Sequence, residues 1–303
     1  MGAADESNRG VPAGKRLAWR LEAGLAWGLY GLLRVLPIDW ASGLAGAVCR
    51  LIGPRLPVSK VARRNLARAF PEQDAAEREA IVRQVWDNLG RTAGELAHLD
   101  KITDQGPDAR IELHGHEQIE TIKRNDAAVA AFTAHLANWD VASLVAGQND
   151  LPFTMIYRRS NNPYVDRLIQ RCRAPSKATF APKEAASWRI IAKTLRRAGN
   201  LALLADQKMN NGIAAPFFGR PAMTLPTLAM CKLRYDCRLI PVQVERLEGA
   251  RFRVTVHPPL EVALSGEQEA DMLAITTAIN LEIEGWVRQN PGQWLWLHRR
   301  WPD

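Results

Sequence analysis

His135 follows an apolar run at residues 127–132, and Asp140 follows His135 by five positions. Imidazole is the one side chain whose unperturbed pKa lies near neutrality. A carboxylate on one ring nitrogen fixes the tautomer and makes the other nitrogen a better base. Such a pair takes a proton from a hydroxyl without a metal. On one continuous helix, residues five apart are rotated by ~140° from each other. The two side chains therefore meet only if the chain turns between them. The run 127–132 reads as a buried strand, and a strand-to-helix corner supplies the turn. His135 then sits in the corner and Asp140 in the first turn of the helix, at the sheet edge where open α/β folds place their ligands. A satisfied core histidine is the other reading of these residues alone.

The elements that must hold this corner follow from pattern. A capping box, Asp74-x-x-Glu77, opens a helix running to about residue 99, with Ile81, Val85, Leu89, Ala93 and Leu96 at helical spacing. From Ile111 onward short apolar strands alternate with helices: strands at 111–114, 127–132, 153–157 and 201–205, helices at 117–123, 163–173, 183–197 and 224–235. A hairpin at 238–256 turns around Leu247-Glu248-Gly249, and a long helix spans 269–289. Alternation of this kind predicts an α/β fold, a layered and mostly parallel sheet flanked by helices.

Composition narrows the function classes. The chain has 303 residues, 47% hydrophobic and 24% charged, which is globular. Its net charge of +8 suggests an anionic partner. Cys49, Cys172, Cys231 and Cys237 show no Cys-x2-Cys spacing, so a reducing compartment is favoured. No cleavable signal is evident. Residues 1–15 read as a disordered tail. Two short uncharged runs, 23–33 and 40–49, flank Pro37. They read as an apolar helical anchor lying in a membrane interface, or as two core helices. The stretch that follows carries Arg50, Arg55, Lys60, Arg63, Arg64 and Arg68 and no acid up to Phe70, a headgroup-contact pattern on the cytoplasmic side or a solvated helix face.

Further candidates lie at strand ends. Arg158, after the strand 153–157, is placed to stabilise an oxyanion or hold a phosphate. Arg167, Arg171 and Arg173 follow on a helix, as a binding face or a solvated one. Asp206-Gln207 closes a buried strand, where a carboxylate must pair with an Arg or orient polar groups at the site. Phe217-Phe218 lines an apolar channel or packs in the core. His114-x-His116 lacks partners at zinc-like spacing. There is no Gly-x-Ser-x-Gly elbow, no cysteine with a His partner and no Gly-rich phosphate loop. No nucleic-acid recognition module accompanies the positive charge.

Taken in order, these segments resemble one family. His135-Leu136-Ala137-Asn138-Trp139-Asp140 is similar to the His-x4-Asp/Glu box of glycerolipid-type acyltransferases, and in particular to the late acyltransferases of lipid A biosynthesis. Tyr157-Arg158, Asn162-Pro163, Asp166 and Arg173 resemble a second segment, Asp206-Gln207 a third, Pro216-Phe217-Phe218-Gly219 with Thr224 a fourth, and Pro291 to Trp301 the closing one. Ala137 stands where that family usually has Gly, Arg159 where it has Pro, Asp140 where Glu is typical, and Leu225-Pro226 interrupts a helix start.

The resemblance implies an acyltransferase domain over 71–303, behind membrane-associated helices at 16–70. It implies His135 as general base with Asp140 orienting it, and Asn138, Arg158, Arg173, Asp206 and Gln207 binding substrate or the oxyanion. It also implies direct transfer from acyl carrier protein to a hydroxyl of a lipid A precursor at the cytoplasmic face of the inner membrane. Inner membrane lipids are then partners and nucleic acid is not. No cofactor or metal is implied beyond the carrier-bound co-substrate. Arg299 and Arg300 are expected near the anionic substrate or membrane, and Thr224 is expected to open the helix after it. The alternatives are an acyltransferase for another polar lipid or glycolipid, and a non-catalytic membrane lipid-binding protein.

Overall fold

Prolines set the first boundaries. Pro37 donates no hydrogen bond and holds Leu36 extended, so helix α1 (Ala13–Val35) stops and α2 (Ile38–Ile52) starts afresh. The computed structural model describes residues 11–124, 126–183 and 187–302. The expected tail at 1–15 is thus corrected at its end, where α1 already begins at Ala13; residues 1–10 lie outside the described residues. Helix α3 covers Ser59–Ala69 and α4 Ala75–Leu96. The capping box opens α4: the Glu77 N–H donates to Asp74 Oδ1 at 2.8 Å and the Asp74 N–H to Glu77 Oε2 at 2.7 Å.

These first helices are fastened to the domain. A Cβ on Gly90 would come within 2.3 Å of the Ala45 carbonyl, so α4 and α2 cross backbone against backbone. Asn162 donates to the Trp19 carbonyl at 2.8 Å, and Arg34 to Asp100 at 2.5 and 2.7 Å. No described helix is long and apolar enough to cross a membrane. Of the expected apolar anchor, a membrane-crossing form is excluded among the described residues, since α1 carries Lys15, Arg16, Arg20, Glu22 and Arg34 along its length. What α1 and α2 present outward is an apolar face, discussed below.

The strands are β1 (Ile111–His114), β2 (Val129–Thr133), β3 (Phe153–Tyr157), β4 (Thr179–Pro182), β5 (Asn200–Leu204), β6 (Lys208–Phe217), β7 (Arg220–Thr224), β8 (Arg238–Arg246) and β9 (Phe252–Val256). Seven of them form one sheet in the order β1-β9-β8-β2-β5-β3-β4. It is mostly parallel; β8 and β9 pair antiparallel, as the hairpin pattern predicts. β2 is central and buried along its whole length, the property of a strand covered on both faces.

Alternate residues of β2 enter two cores. Val129 and Ala131 face Val141, Leu144 and Leu168, from α6 (Asp140–Gln148) and α7 (Pro163–Arg173). Ala130 and Phe132 face Ile191, Leu228 and Ile279, from α8 (Ser187–Leu195), α9 (Thr227–Tyr235) and α10 (Gln268–Gln289). Helix α5 (His116–Lys123) adds Ile119 and Ile122 to the first core.

Two expectations fail here. The helix expected at 183–197 is described over Ser187–Leu195 and ends two residues early, residues 184–186 lying outside the described residues, and an additional strand, β4, precedes it. The expected helix start at Thr224 lies in β7, and Pro226 occupies the N-cap of α9. β6 and β7 form a separate antiparallel hairpin that turns at Phe218 (φ 50°) and Gly219 (φ 67°). Two positive φ values in a two-residue loop match the twist of the flanking strands.

Candidate active site

The register of two parallel strands builds the site. Thr133 of β2 lies beside Leu204 of β5. The Ala205 N–H donates to the Thr133 carbonyl at 3.0 Å, continuing the ladder by one step. One step further, His135 and Asp206 stand side by side. The His135 N–H donates to Asp206 Oδ2 at 2.8 Å, and Nδ1 of the ring lies 2.8 Å from Oδ1. The Trp294 indole N–H donates to Oδ2 at 2.8 Å. Asp206 is buried. Burial opposes its charge, but the His135 ring and its hydrogen bonds, with a smaller effect from His298, hold the carboxyl well below the ordinary carboxylate range.

This arrangement decides the tautomer. A carboxylate only accepts, so Nδ1 carries the proton and Nε2 of the neutral ring is left as an acceptor. The Gln207 amide nitrogen lies 3.3 Å from Nε2 and is exposed, so nothing fixed seals that nitrogen. The edge of Trp139 packs against the ring with centroids 5.0 Å apart.

The expected partner of His135 is therefore corrected. Asp140 does open α6, as its spacing predicts, but its carboxylate is held by Arg173 of α7, with Nε at 2.7 Å and Nη2 at 3.3 Å. The turn between His135 and Asp140 carries the second residue toward α7, while the parallel neighbour strand delivers a different carboxylate to the first. Arg173 is occupied by this ion pair, which corrects its assignment to the oxyanion.

Asn138 is corrected as well. It is buried; its Nδ2 donates to Glu95 at 2.9 Å and its Oδ1 accepts from the Asp140 N–H at 3.2 Å. Its amide is spent on positioning the corner. Arg158 is exposed just past the end of β3 and makes no ion pair among the described residues, which leaves it open to an anion.

Of the residues that hold the corner, Asn88, Thr92, Glu95 and Arg246 have no counterpart in the sequence reading. Ala137 adopts φ 49°, a conformation glycine takes without strain, which accounts for glycine at this place in the resembling box. Its carbonyl accepts from Asn88 Nδ2 and Thr92 Oγ1, both at 3.0 Å, and its N–H donates to the Gln293 carbonyl at 3.0 Å. Glu95, fully buried, pairs with Arg246 and accepts from Ser42 and Asn138. Asn88, Thr92 and Glu95 form a polar stripe at helical spacing on an otherwise apolar face of α4. That stripe was the available signal.

The carboxyl-terminal segment packs under the site. The Leu295 N–H donates to the His135 carbonyl at 3.0 Å, and Trp294 and Trp296 are fully buried. His298 lies 5.1 Å from Trp294 between ring centroids, and burial pushes it toward its neutral form. Arg300, expected near anionic substrate, is buried instead. It donates to Thr224 Oγ1 at 2.8 Å and to Asn280 Oδ1 at 3.1 Å, and burial pushes it down to about 10. Phe217 and Phe218 are core residues in the aromatic cluster with Trp296 and Trp301.

Below His135, between the sheet and α6, lies an apolar cavity of about 50 Å³. Thr133, Ser143, Ala146, Met155 and Ile240 are among its walls, and the buried Thr133 hydroxyl has no hydrogen-bond partner among the described residues. At about 30 Å³ per water molecule, such a volume holds one or two waters and must open to admit anything larger. Among the described residues, no group of three or more His, Cys, Asp or Glu is arranged to hold a metal ion. A basic imidazole nitrogen facing an accessible edge, backed by a buried carboxylate, is equipped to remove a proton from a bound hydroxyl.

Comparison with known proteins bears on which hydroxyl that is. The sequence model of the family described as bacterial lipid A biosynthesis acyltransferase matches residues 18–303. The lipid A biosynthesis palmitoleoyltransferase of Escherichia coli (strain K12) is 24% identical over 248 residues, 79% of this chain and 77% of that protein. The lipid A biosynthesis acyltransferase of Haemophilus influenzae is 27% identical over 283 residues, 88% of this chain and 83% of that protein. The lipid A biosynthesis lauroyltransferase of Escherichia coli (strain K12) is 24% identical over 294 residues, 94% and 90% respectively. With the family match running from the first helix to the final residue, the chain belongs to the bacterial lipid A biosynthesis acyltransferases and is an acyl-transferring enzyme.

Proposed function

We propose that the enzyme moves a fatty acyl group from an acyl carrier protein thioester to a hydroxyl of a lipid A precursor by direct attack, with His135 as general base. Nε2 takes the hydroxyl proton as the oxygen attacks the thioester carbonyl. Asp206 keeps the proton on Nδ1 and stabilises the imidazolium that forms, a role that the reading from spacing gave to Asp140. The tetrahedral intermediate carries an oxyanion, and Arg158, past the end of β3 and without an ion pair among the described residues, would balance it or a phosphate of the acceptor. Collapse expels the carrier thiolate, which recovers the proton from the imidazolium. The carrier-bound thioester is a co-substrate, and this scheme calls for no cofactor.

The observation that carries this reading is the His135–Asp206 pair, with Nδ1 2.8 Å from the carboxylate and Nε2 toward an exposed glutamine. The apolar cavity beneath it is suited, once opened, to an acyl chain. Attachment to the cytoplasmic face of the inner membrane is part of the proposal, through the exposed apolar face of α1 and α2 and the basic residues after it.

The test is transfer measured by mass from a defined acyl carrier to a lipid A precursor. His135→Ala is expected to lower kcat by about 10³-fold with the fold and substrate binding retained. Unchanged turnover in that variant, or ping-pong kinetics with a trapped acyl-enzyme, would contradict the scheme. An unaltered lipid A in a deletion strain, with another polar lipid or glycolipid losing an acyl chain, would move the assignment to that acceptor.

A further inference from the structure

On the face of the sheet away from the cavity, a groove of about 680 Å³ runs between α8 and α9. These helices pack on β5 and β2, the strands that end at Asp206 and His135. Arg189, Lys193, Arg196 and Arg197 line one wall and Arg234 the other, and no carboxylate is among the described lining residues. Elsewhere the arginines are commonly paired, as in Arg63–Glu79, Arg110–Asp39, Arg238–Asp126 and Arg253–Glu112. The four cations of the α8 wall make no ion pair among the described residues and are exposed. Holding five like charges along one crease raises the energy of the free protein, and an anionic partner relieves it.

The shape specifies the partner further. Arg189, Lys193 and Arg196 recur at the four- and three-residue spacing that aligns side chains along one helix face. Trp188 and Met230, exposed for apolar side chains, stand in the same groove. An apolar floor between two helices, rimmed by cations over about 13 Å of helix, accepts an amphipathic helix that bears carboxylates. The groove also lies across the sheet from α1. Helix α1 is fastened to α7, with Arg171 over the Trp27 ring and Asn162 on Trp19, and α7 covers the opposite face of the sheet. With α1 against a lipid surface, the groove is left toward water.

We propose that the α8–α9 groove is the docking surface for a small acidic carrier protein, which seats a carboxylate-bearing helix there and delivers its thioester over the end of the sheet to His135. This rests on the reading of the donor as a carrier-bound thioester. The test compares two donors of the same acyl chain, one on acyl carrier protein and one on pantetheine, using the full-length enzyme and the variant Arg189→Glu/Lys193→Glu/Arg196→Glu. For the carrier donor the variant raises KM by about 30-fold, leaves kcat unchanged and loses the wild-type sensitivity to salt. For the pantetheine donor both proteins perform alike. An unchanged carrier KM, or equal losses with both donors, overturns the docking surface while leaving the functional reading in place. Transfer by the wild type from neither thioester overturns both. A variant that keeps its carrier KM but no longer binds vesicles of anionic phospholipid assigns the groove to lipid headgroups and overturns the proposal.

Discussion

Asp206 makes a prediction through its protonation. Its carboxyl sits below the ordinary value of 3.8 in the folded chain. A group whose folded pKa is depressed contributes stability that is complete above its unfolded pKa and is lost as pH falls through the folded one. The denaturation midpoints of the wild type and Asp206→Asn should therefore differ by a constant amount above about pH 5 and converge as the buffer becomes more acidic. A gap that does not narrow in acid would mean that Asp206 is not held as a buried anion. His135 was legible because an imidazole at the end of an apolar strand has few roles. Its partner was not, because 71 residues separate them and only the pairing of β2 with β5 brings them together. The nearer carboxylate, Asp140, satisfied the local rule and went to Arg173.

Between residues and fold, the corner after β2 is the element under most constraint. Ala137 pays for its left-handed backbone, a cost of about 1–2 kcal/mol for a residue with a Cβ. Ala137→Gly should recover part of this, about 0.5–1 kcal/mol after the added freedom of the unfolded chain, readable in chemical denaturation. A destabilised glycine variant would show that the corner is not strained. Arg246→Ala should cost about 3–5 kcal/mol, because Glu95 would be left buried without its cation. A replacement that unfolds at the wild-type midpoint would remove the network from the account.

Regular elements were readable where pattern was strong. The strand at Phe153–Tyr157 and the helix at Pro163–Arg173 stand where apolar spacing and the Asn-Pro start put them. The β6–β7 hairpin was missed because its turn is Phe218-Gly219, and an aromatic residue at positive φ carries none of the Asn-Gly signal.

The molecule as a whole is asymmetric. Leu25, Leu32, Val35 and Trp40 are 76%, 60%, 80% and 73% exposed on α1 and α2. A patch of this kind marks an interaction surface. Burying each such side chain is worth about 1.5–3 kcal/mol. Leu25→Ser/Leu32→Ser/Trp40→Ser should therefore lower partitioning to vesicles of anionic phospholipid by at least about tenfold, with the circular dichroism unchanged. Vesicle binding equal to that of the wild type would place the membrane contact elsewhere. Composition and the uncharged runs around Pro37 made the amphipathic pair visible. They did not reveal that the pair lies along the domain, since that depends on Gly90 and Gly94 of α4 letting α2 approach.

The assignment of roles to the two aspartates is decided by single-turnover rates of Asp206→Asn and Asp140→Asn, measured on folded protein with saturating donor and acceptor. The account predicts a fall of about 10³–10⁴-fold for Asp206→Asn, as for loss of the carboxylate that orients a catalytic imidazole. For Asp140→Asn it predicts a rate within about threefold of the wild type, accompanied by a loss of stability of about 2 kcal/mol from the unpaired Arg173. The reverse order, with Asp140→Asn inactive and Asp206→Asn active, would contradict it.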